Sequence, residues 1–239
     1  VILMQGSLLF NKNNCNYVHQ IYGLYDDNKK MSELFKKSYL EFKKWSKKNN
    51  YKYKLWGKKE CDSLIKEFPK YIEMYEKSRC PIMKCDIARL CILYKYGGLY
   101  SDLDCFPKIK EMKKSNLVLT IDKTSSGTKR KNGNEVVTNE IIQASKNNVF
   151  LLAFLDYIKT QIKEKEKIEI YNVRKARFVL HTTGPYSLQR SLKKNDCEYD
   201  LYRTNQLEFE KNWKYIGLGK TDNVDFIAHD SLSWYSCLK

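Results

Sequence analysis

The stretch from Lys84 to Cys105, KCDIARLCILYKYGGLYSDLDC, constrains the fold more than any other part of the chain. Ile87, Leu90, Cys91 and Tyr94 recur at i, i+3, i+4 and i+7, the apolar face of a helix. Asp86 and Arg89 lie three apart and share a neighbouring face. Pro81 suits the first turn of this helix, and Gly97-Gly98 its stop. Leu99 to Leu103 then reads as a strand. Its end delivers Asp102 and Asp104, two positions apart, to one side of an extended chain. Two carboxylates on one side make a site for a hard divalent cation. A bare DxD is more often a solvated acidic turn. Here it closes a longer pattern of fixed offsets: an Asp-x-x-Arg helix, a double glycine, an aromatic and then the carboxylates.

The flanking sequence gives this stretch a setting. Tyr17 to Tyr22 reads as a strand, Met31 to Trp45 as a helix with Lys on its outer face, and Tyr51 to Leu55 as a half-buried strand of period two. Strand, helix and strand at this length make a βαβ unit and predict a parallel sheet. Cys61 to Ser78 patterns as two short helices broken near Pro69, Leu117 to Ile121 as a strand, and Val149 to Lys165 as a helix. Residues 123–134 are polar, basic and glycine-containing, as in a loop. Val136 to Ile142 reads as a strand or a strand-to-helix turn. Thr183-Gly184-Pro185 opens a helix through Leu192, and three short strands lead to His229 and the segment after it. No internal repeat or linker divides the 239 residues, so one domain over 1–239 is expected.

Composition excludes some classes. An apolar content of 42% with 18 Tyr argues against disorder, and no apolar run approaches the ~20 residues that span a bilayer. Val1 to Met4 is too short for a signal peptide. None of the eight Cys forms a CxxC pair, which argues against a zinc site and for reduced thiols in a cytoplasmic setting. The net charge of +16 admits a membrane surface or phosphorylated ligands as partners. The Lys residues are scattered along helices, however, as biased composition alone would leave them. No nucleic-acid motif accompanies the charge, and no nucleic-acid partner is expected.

The whole stretch from Asp86 to Asp104 resembles the DXD sugar-transferase family, glycosyltransferase family 32, with its fungal initiating mannosyltransferases and related capsule enzymes. It is also similar to the catalytic domain of the large clostridial glucosylating toxins. Shared with them is an Asp sixteen positions before the first Asp of DxD. The resemblance implies an α/β fold of the GT-A nucleotide-sugar-binding type, with a mainly parallel central sheet flanked by helices. The implied activity is a metal-dependent, retaining glycosyltransferase. A UDP-sugar donor is favoured over GDP-mannose, the acceptor is a carbohydrate or protein hydroxyl, and the cofactor is Mn²⁺, with Mg²⁺ as the alternative.

In that reading Asp102 and Asp104 ligate the metal. His229, at the end of an apolar strand, is the candidate third ligand, because imidazole suits Mn²⁺. Asp86 and Arg89 hydrogen-bond donor hydroxyls and phosphate, with Tyr100 beside them. Tyr22 lies under the base, with His19 on the same strand. Asn139 and Gly184 resemble landmarks near the donor sugar and acceptor. Ser231, Ser233 and Trp234 would meet the leaving group as a C-terminal lid. No acidic residue stands out as a base. The rivals are a DxD phosphatase of the haloacid-dehalogenase type and a non-enzymatic basic module that binds nucleic acid.

Overall fold

The computed structural model describes residues 16–24, 30–122, 137–168, 175–209, 215–216 and 225–229. In chain order the elements are β1 Tyr17–Ile21, α1 Glu33–Lys48, β2 Lys52–Trp56, α2 Lys58–Ile65, a 3-10 turn Pro69–Tyr71, α3 Ile72–Glu76, α4 Pro81–Tyr96, β3 Gly98–Ser101 and β4 Cys105–Pro107. There follow β5 Leu117–Asp122, β6 Val137–Ala144, α5 Val149–Lys165, α6 Lys175–Thr182, α7 Pro185–Asn195, β7 Asp200–Phe209, β8 Tyr215–Ile216 and β9 Phe226–His229.

The strands join in the order β2-β1-β3-β6-β5-β7-β9-β4, with β8 beside β7. β1 is parallel to β2 and β3, and β7 is parallel to β5 and β9. β6 runs against both β3 and β5, and β4 runs against β9. Six of the eight strands on this path therefore point the same way, and the mainly parallel sheet read from the sequence is present. The sheet is strongly curled. β3 and β4 stand five strand spacings apart in the order, ~24 Å in a flat sheet. Yet only residues 102–104 join them, and four Cα steps span ~14 Å at most. The sheet must bend until its edge strand comes back beside its middle, and the DxD residues sit at that seam.

Two hydrophobic layers flank the sheet. On one face α2, α3, α4, α5 and α7 cover Ile21, Trp56, Tyr100, Leu119 and Ile142. On the other, Phe42 of α1 packs with Val18, Leu99, Ile141, Tyr202 and Phe226, enclosed by the curled arm of β4 and β9. Ser32 caps α1 by accepting from Phe35 N–H, a contact that stabilises a helix start by about 1 kcal/mol. α4 starts on Pro81 and stops at Gly97, whose φ of 63° a side chain would resist. Gly98 has φ 102°, and a Cβ there would lie 2.2 Å from Tyr17 O, so only glycine lets β3 lie against β1. α4 departs from the expected one-faced amphipathic helix: Met83 and every residue from Cys85 to Leu93 are buried. The sheet lies on one side of it and α2, α3 and α5 on others. Six described cysteines, Cys61, Cys80, Cys85, Cys91, Cys105 and Cys197, are free thiols.

Candidate functional site

One expectation about the central stretch changes. β3 ends at Ser101, and Asp102 to Asp104 form a turn closed by Cys105 N–H donating to Asp102 O at 3.3 Å. The carboxylates therefore do not share one side of a strand. The physical reason is the chain reversal from β3 into β4, which leaves no room for extended residues between them. Asp86 and Arg89 form a buried pair, 4% and 2% exposed. They lie on the side of α4 that faces the end of β3 and the start of β6.

Arg89 is the centre of the site. Its Nη2 meets Asp86 Oδ1 and Asp102 Oδ1, each at 3.1 Å. Its Nη1 donates to Asn139 O and, at 3.5 Å, to Asp102 Oδ2. Its Nε donates to Cys85 O at 3.5 Å. All five N–H groups of the guanidinium are thus directed into the protein. The plane also lies over the Tyr100 ring, 4.6 Å from its centroid. Asp86 is held further by Asn139 Nδ2 at 3.1 Å and by the Thr183 hydroxyl at 2.6 Å. Burial pushes the Asp86 carboxyl up to about 6, against the pull of Arg89 and the Thr183 hydroxyl. Arg89 would be pushed down by burial, but Asp102, Tyr100 and Asp86 hold it well above its ordinary value.

Asp102 is the outward member of the cluster, 30% exposed. Tyr100 donates its hydroxyl to Asp102 Oδ1 at 2.7 Å. Burial raises the Asp102 carboxyl, opposed by Arg89 and by that hydroxyl. Among the described residues its Oδ2 carries only the long contact to Arg89. Asp104 follows two residues later, half-buried, with the Cys105 thiol 3.7 Å from its Oδ1.

A second buried network fixes the backbone of the turn from the opposite face. Gln20 Nε2 donates to Asp102 O at 3.3 Å and to Ser38 Oγ at 3.2 Å. Ser38 donates to Cys105 O at 2.6 Å, and Tyr53 donates to Gln20 Oε1 at 2.8 Å. The carbonyls on either side of Asp104 are thereby held by β1 and α1. From β6, Glu140 O accepts the Asp102 N–H at 2.9 Å. Sequence reasoning found none of these supports. Their residues stand 67 and 82 positions apart, and no local signal links them.

The other sequence-predicted residues divide. Asn139, Thr183 and Tyr100 join the cluster. Gly184 is the N-cap of α7, where a Cβ would stand 3.0 Å from Leu180 Cα, so the glycine lets α6 and α7 meet closely below Asp86. Tyr22 follows β1, its N–H donating to Trp56 O. His19 is corrected. It is 0% exposed, its Nε2 bonds Gly97 O at 2.9 Å, and its Nδ1 accepts from the Trp56 indole at 3.2 Å. Burial lowers its pKa to about 4, and the ring is a neutral core group out of reach of a donor. His229 ends β9. The β4–β9 ladder pairs Cys105 with Ala228, the residue before His229, and on its other side β9 pairs His229 with Leu207 of β7. Ser231, Ser233, Trp234, the lid and the 123–134 loop lie outside the described residues. Among the described residues no group of three His, Cys, Asp or Glu side chains is gathered for a metal. Among them, too, no helix is long and apolar enough to cross a membrane.

The curled, mainly parallel sheet places two acidic residues at the end of β3, in the region where open α/β sheets bind their ligands. Residues 12–118 match the model of the glycosyltransferase sugar-binding region containing DXD motif. The resemblance read from Asp86 to Asp104 therefore stands. Over 56 residues the chain is 41% identical to mannosyl phosphorylinositol ceramide synthase of Saccharomyces cerevisiae and 38% identical to inositol phosphoceramide mannosyltransferase 3 of Schizosaccharomyces pombe. Those stretches cover 23% of this chain and only 15% and 16% of the relatives. Among solved structures, PaToxG glycosyltransferase aligns with a TM-score of 0.52 at 18% identity, over 76% of this chain and 69% of that one, a likeness of fold.

Proposed function

We propose that this chain is a metal-dependent, retaining glycosyltransferase that moves a sugar from a nucleotide-sugar donor to an acceptor hydroxyl, with residues 1–239 as one catalytic domain. The observation that carries it is the DxD turn at the seam of the curled sheet, its first carboxylate locked by a fully engaged arginine. The donor set suits a hard divalent cation. Asp102 is partly exposed, Asp104 adds a second carboxylate, and β9, which pairs with β4 next to the turn, ends at His229. Mn²⁺ or Mg²⁺, when bound, supplies Lewis-acid stabilisation to the leaving diphosphate.

The chain's own residues hold and orient. Arg89 and Tyr100 fix the rotamer of Asp102, so that its free edge faces the donor. Asp86, Asn139 and Thr183 fix Arg89. With no free N–H and almost no exposure, Arg89 acts through Asp102 and makes no contact of its own with donor phosphate, which revises the sequence expectation. Asp86 is a positioning residue for the same reason. Tyr22 at the end of β1 supports the base, and His229, Ser231, Ser233 and Trp234 complete the leaving-group side. A UDP-sugar donor is favoured. The mannosyl transfer for which the fungal relatives are named supports GDP-mannose as the second reading. Their inositol phosphoceramide acceptors add a lipid-borne hydroxyl to the carbohydrate or protein acceptors considered.

The test is a thermal-shift panel of nucleotide sugars with Mn²⁺ or a chelator, since a ligand of the native state raises its stability. The donor should shift the midpoint only with metal, and Asp104→Ala should abolish the shift. Equal shifts with metal and chelator would overturn the reading.

A further inference from the structure

α1 carries six Lys and two Glu in 16 residues, a formal charge of +4. Its inner side is apolar and small: Ser38, Phe42 and Ser46 are buried against the sheet. Lys36, Lys37, Lys43, Lys44, Lys47 and Lys48 are all exposed. At about 100° per residue, these six fall within ~140° of arc, centred on Leu40. Leu40 is 52% exposed, one of few large apolar side chains left to solvent. The lysines scattered in the linear sequence thus fold into one stripe, about 18 Å long from Lys36 to Lys48, with a leucine on its midline.

The stripe also lacks the neutralisation seen on other helices. Lys58 pairs with Asp62 on α2, and Lys77 pairs with Glu73 across one turn of α3. Among the described residues, none of the six α1 lysines is in an ion pair, although Glu41 lies four positions from Lys37. Only Lys43 finds a neighbour, the Tyr39 hydroxyl at 3.2 Å.

We propose that the outer face of α1 is a docking surface for an anionic membrane. Lysine heads suit lipid phosphate and carboxylate groups, while their methylene stems and Leu40 enter the apolar boundary beneath. Charge complementarity alone would also admit RNA. The stripe offers no exposed aromatic on which a base could stack, whereas an exposed leucine is what a bilayer interface takes up. α1 also joins the docked face rigidly to the acidic turn, because Ser38 on its inner side donates to Cys105 O. A membrane held at α1 would therefore sit at a fixed offset from Asp102 and Asp104. The proposal does not depend on the reaction proposed above.

The experiment is sedimentation of the whole chain with vesicles of phosphatidylcholine, with and without phosphatidylserine. Binding should require the anionic lipid and fall with salt. The triple variant Lys36→Glu/Lys43→Glu/Lys47→Glu should lower the partition by on the order of a hundred-fold or more. A control triple, Lys66→Glu/Lys163→Glu/Lys167→Glu, changes the net charge equally at exposed sites elsewhere and should bind nearly as the parent does. Leu40→Glu should weaken binding even at low salt. If the glutamate triple fails to fold, the glutamine triple replaces it, with a proportionately smaller loss. Equal losses in both triples would reduce the effect to net charge and overturn the proposal. So would undiminished binding by the α1 triple, or single-stranded RNA displacing the vesicles from the stripe.

Discussion

Replacing Arg89 tests the architecture of the site most directly. In Arg89→Lys, an ammonium with three N–H groups faces five acceptors, so at least two contacts are lost. Hydrogen bonds to charged partners are worth about 1.5–3 kcal/mol each, which puts the loss at about 3–6 kcal/mol. That is a large part of the 5–15 kcal/mol typical of a domain. Arg89→Met instead leaves Asp86 and Asp102 facing each other without a cation, a change that costs about 3–5 kcal/mol. Its penalty depends on pH. Asp86 already sits at about 6 with Arg89 in place, and removing the cation raises it further. A carboxyl raised above its unfolded value contributes stability that is present below the unfolded pKa and lost as pH rises through the folded one. Arg89→Met should therefore approach the parent near pH 4 and fall away above pH 6. Urea unfolding midpoints across that range measure it. A midpoint for Arg89→Lys equal to the parent's, or a pH-independent deficit in Arg89→Met, would refute the reasoning. With Arg89 only 2% exposed, its removal is expected to cost fold stability as well as the geometry of the site.

Further outcomes follow from the same geometry. In the parent protein, stability should decline between about pH 4 and 6 as Asp86 ionises, by up to about 3 kcal/mol for a shift of this size; Asp86→Asn should flatten that slope in denaturant titrations. Ser38→Ala removes one of the two bonds that hold the carbonyls beside Asp104, and should weaken Mn²⁺-dependent binding of a nucleoside diphosphate about ten-fold by calorimetry; unchanged affinity would show that the turn holds itself. Gly98→Ala sets a Cβ 2.2 Å from Tyr17 O at a φ of 102°, and should lower the thermal midpoint sharply or prevent folding; a parental midpoint would mean that β1 and β3 can part without cost.

The legible parts of the site were those with local signals. The period of Ile87 to Tyr94, the punctuation by Pro81 and Gly97-Gly98, and the fixed offset from Asp86 to Asp102 needed only a short window of sequence. Burial of Asp86 and Arg89 did not show, because period gives the direction of a side chain and not how many elements converge on it; α4 is covered on sides that its own pattern leaves polar. The acidic pair was misread as strand, since nothing local announces that β4 runs back against β9. Gln20, Ser38 and Tyr53 look like ordinary polar residues until the sheet curls and brings α1 and β1 under the turn. His19 differs for the opposite reason: a histidine on the strand that leads to Tyr22 invites a donor-binding role, and only the Trp56 indole and the Gly97 carbonyl show that both ring nitrogens are taken.

The pairing of β4 has a temporal meaning. Among the described residues β4 joins the sheet through β9 alone, with Cys105 opposite Ala228, 123 positions later. A chain growing at 5–20 residues per second exposes Asp102 and Asp104 roughly 6–25 s before that partner has been made. During this interval the strand edge at 105–107 has no ladder, and the thiol of Cys105 lacks its cover. A ribosome stalled before residue 226 would thus release a chain whose acidic turn is present in sequence but has no sheet to hold its far side.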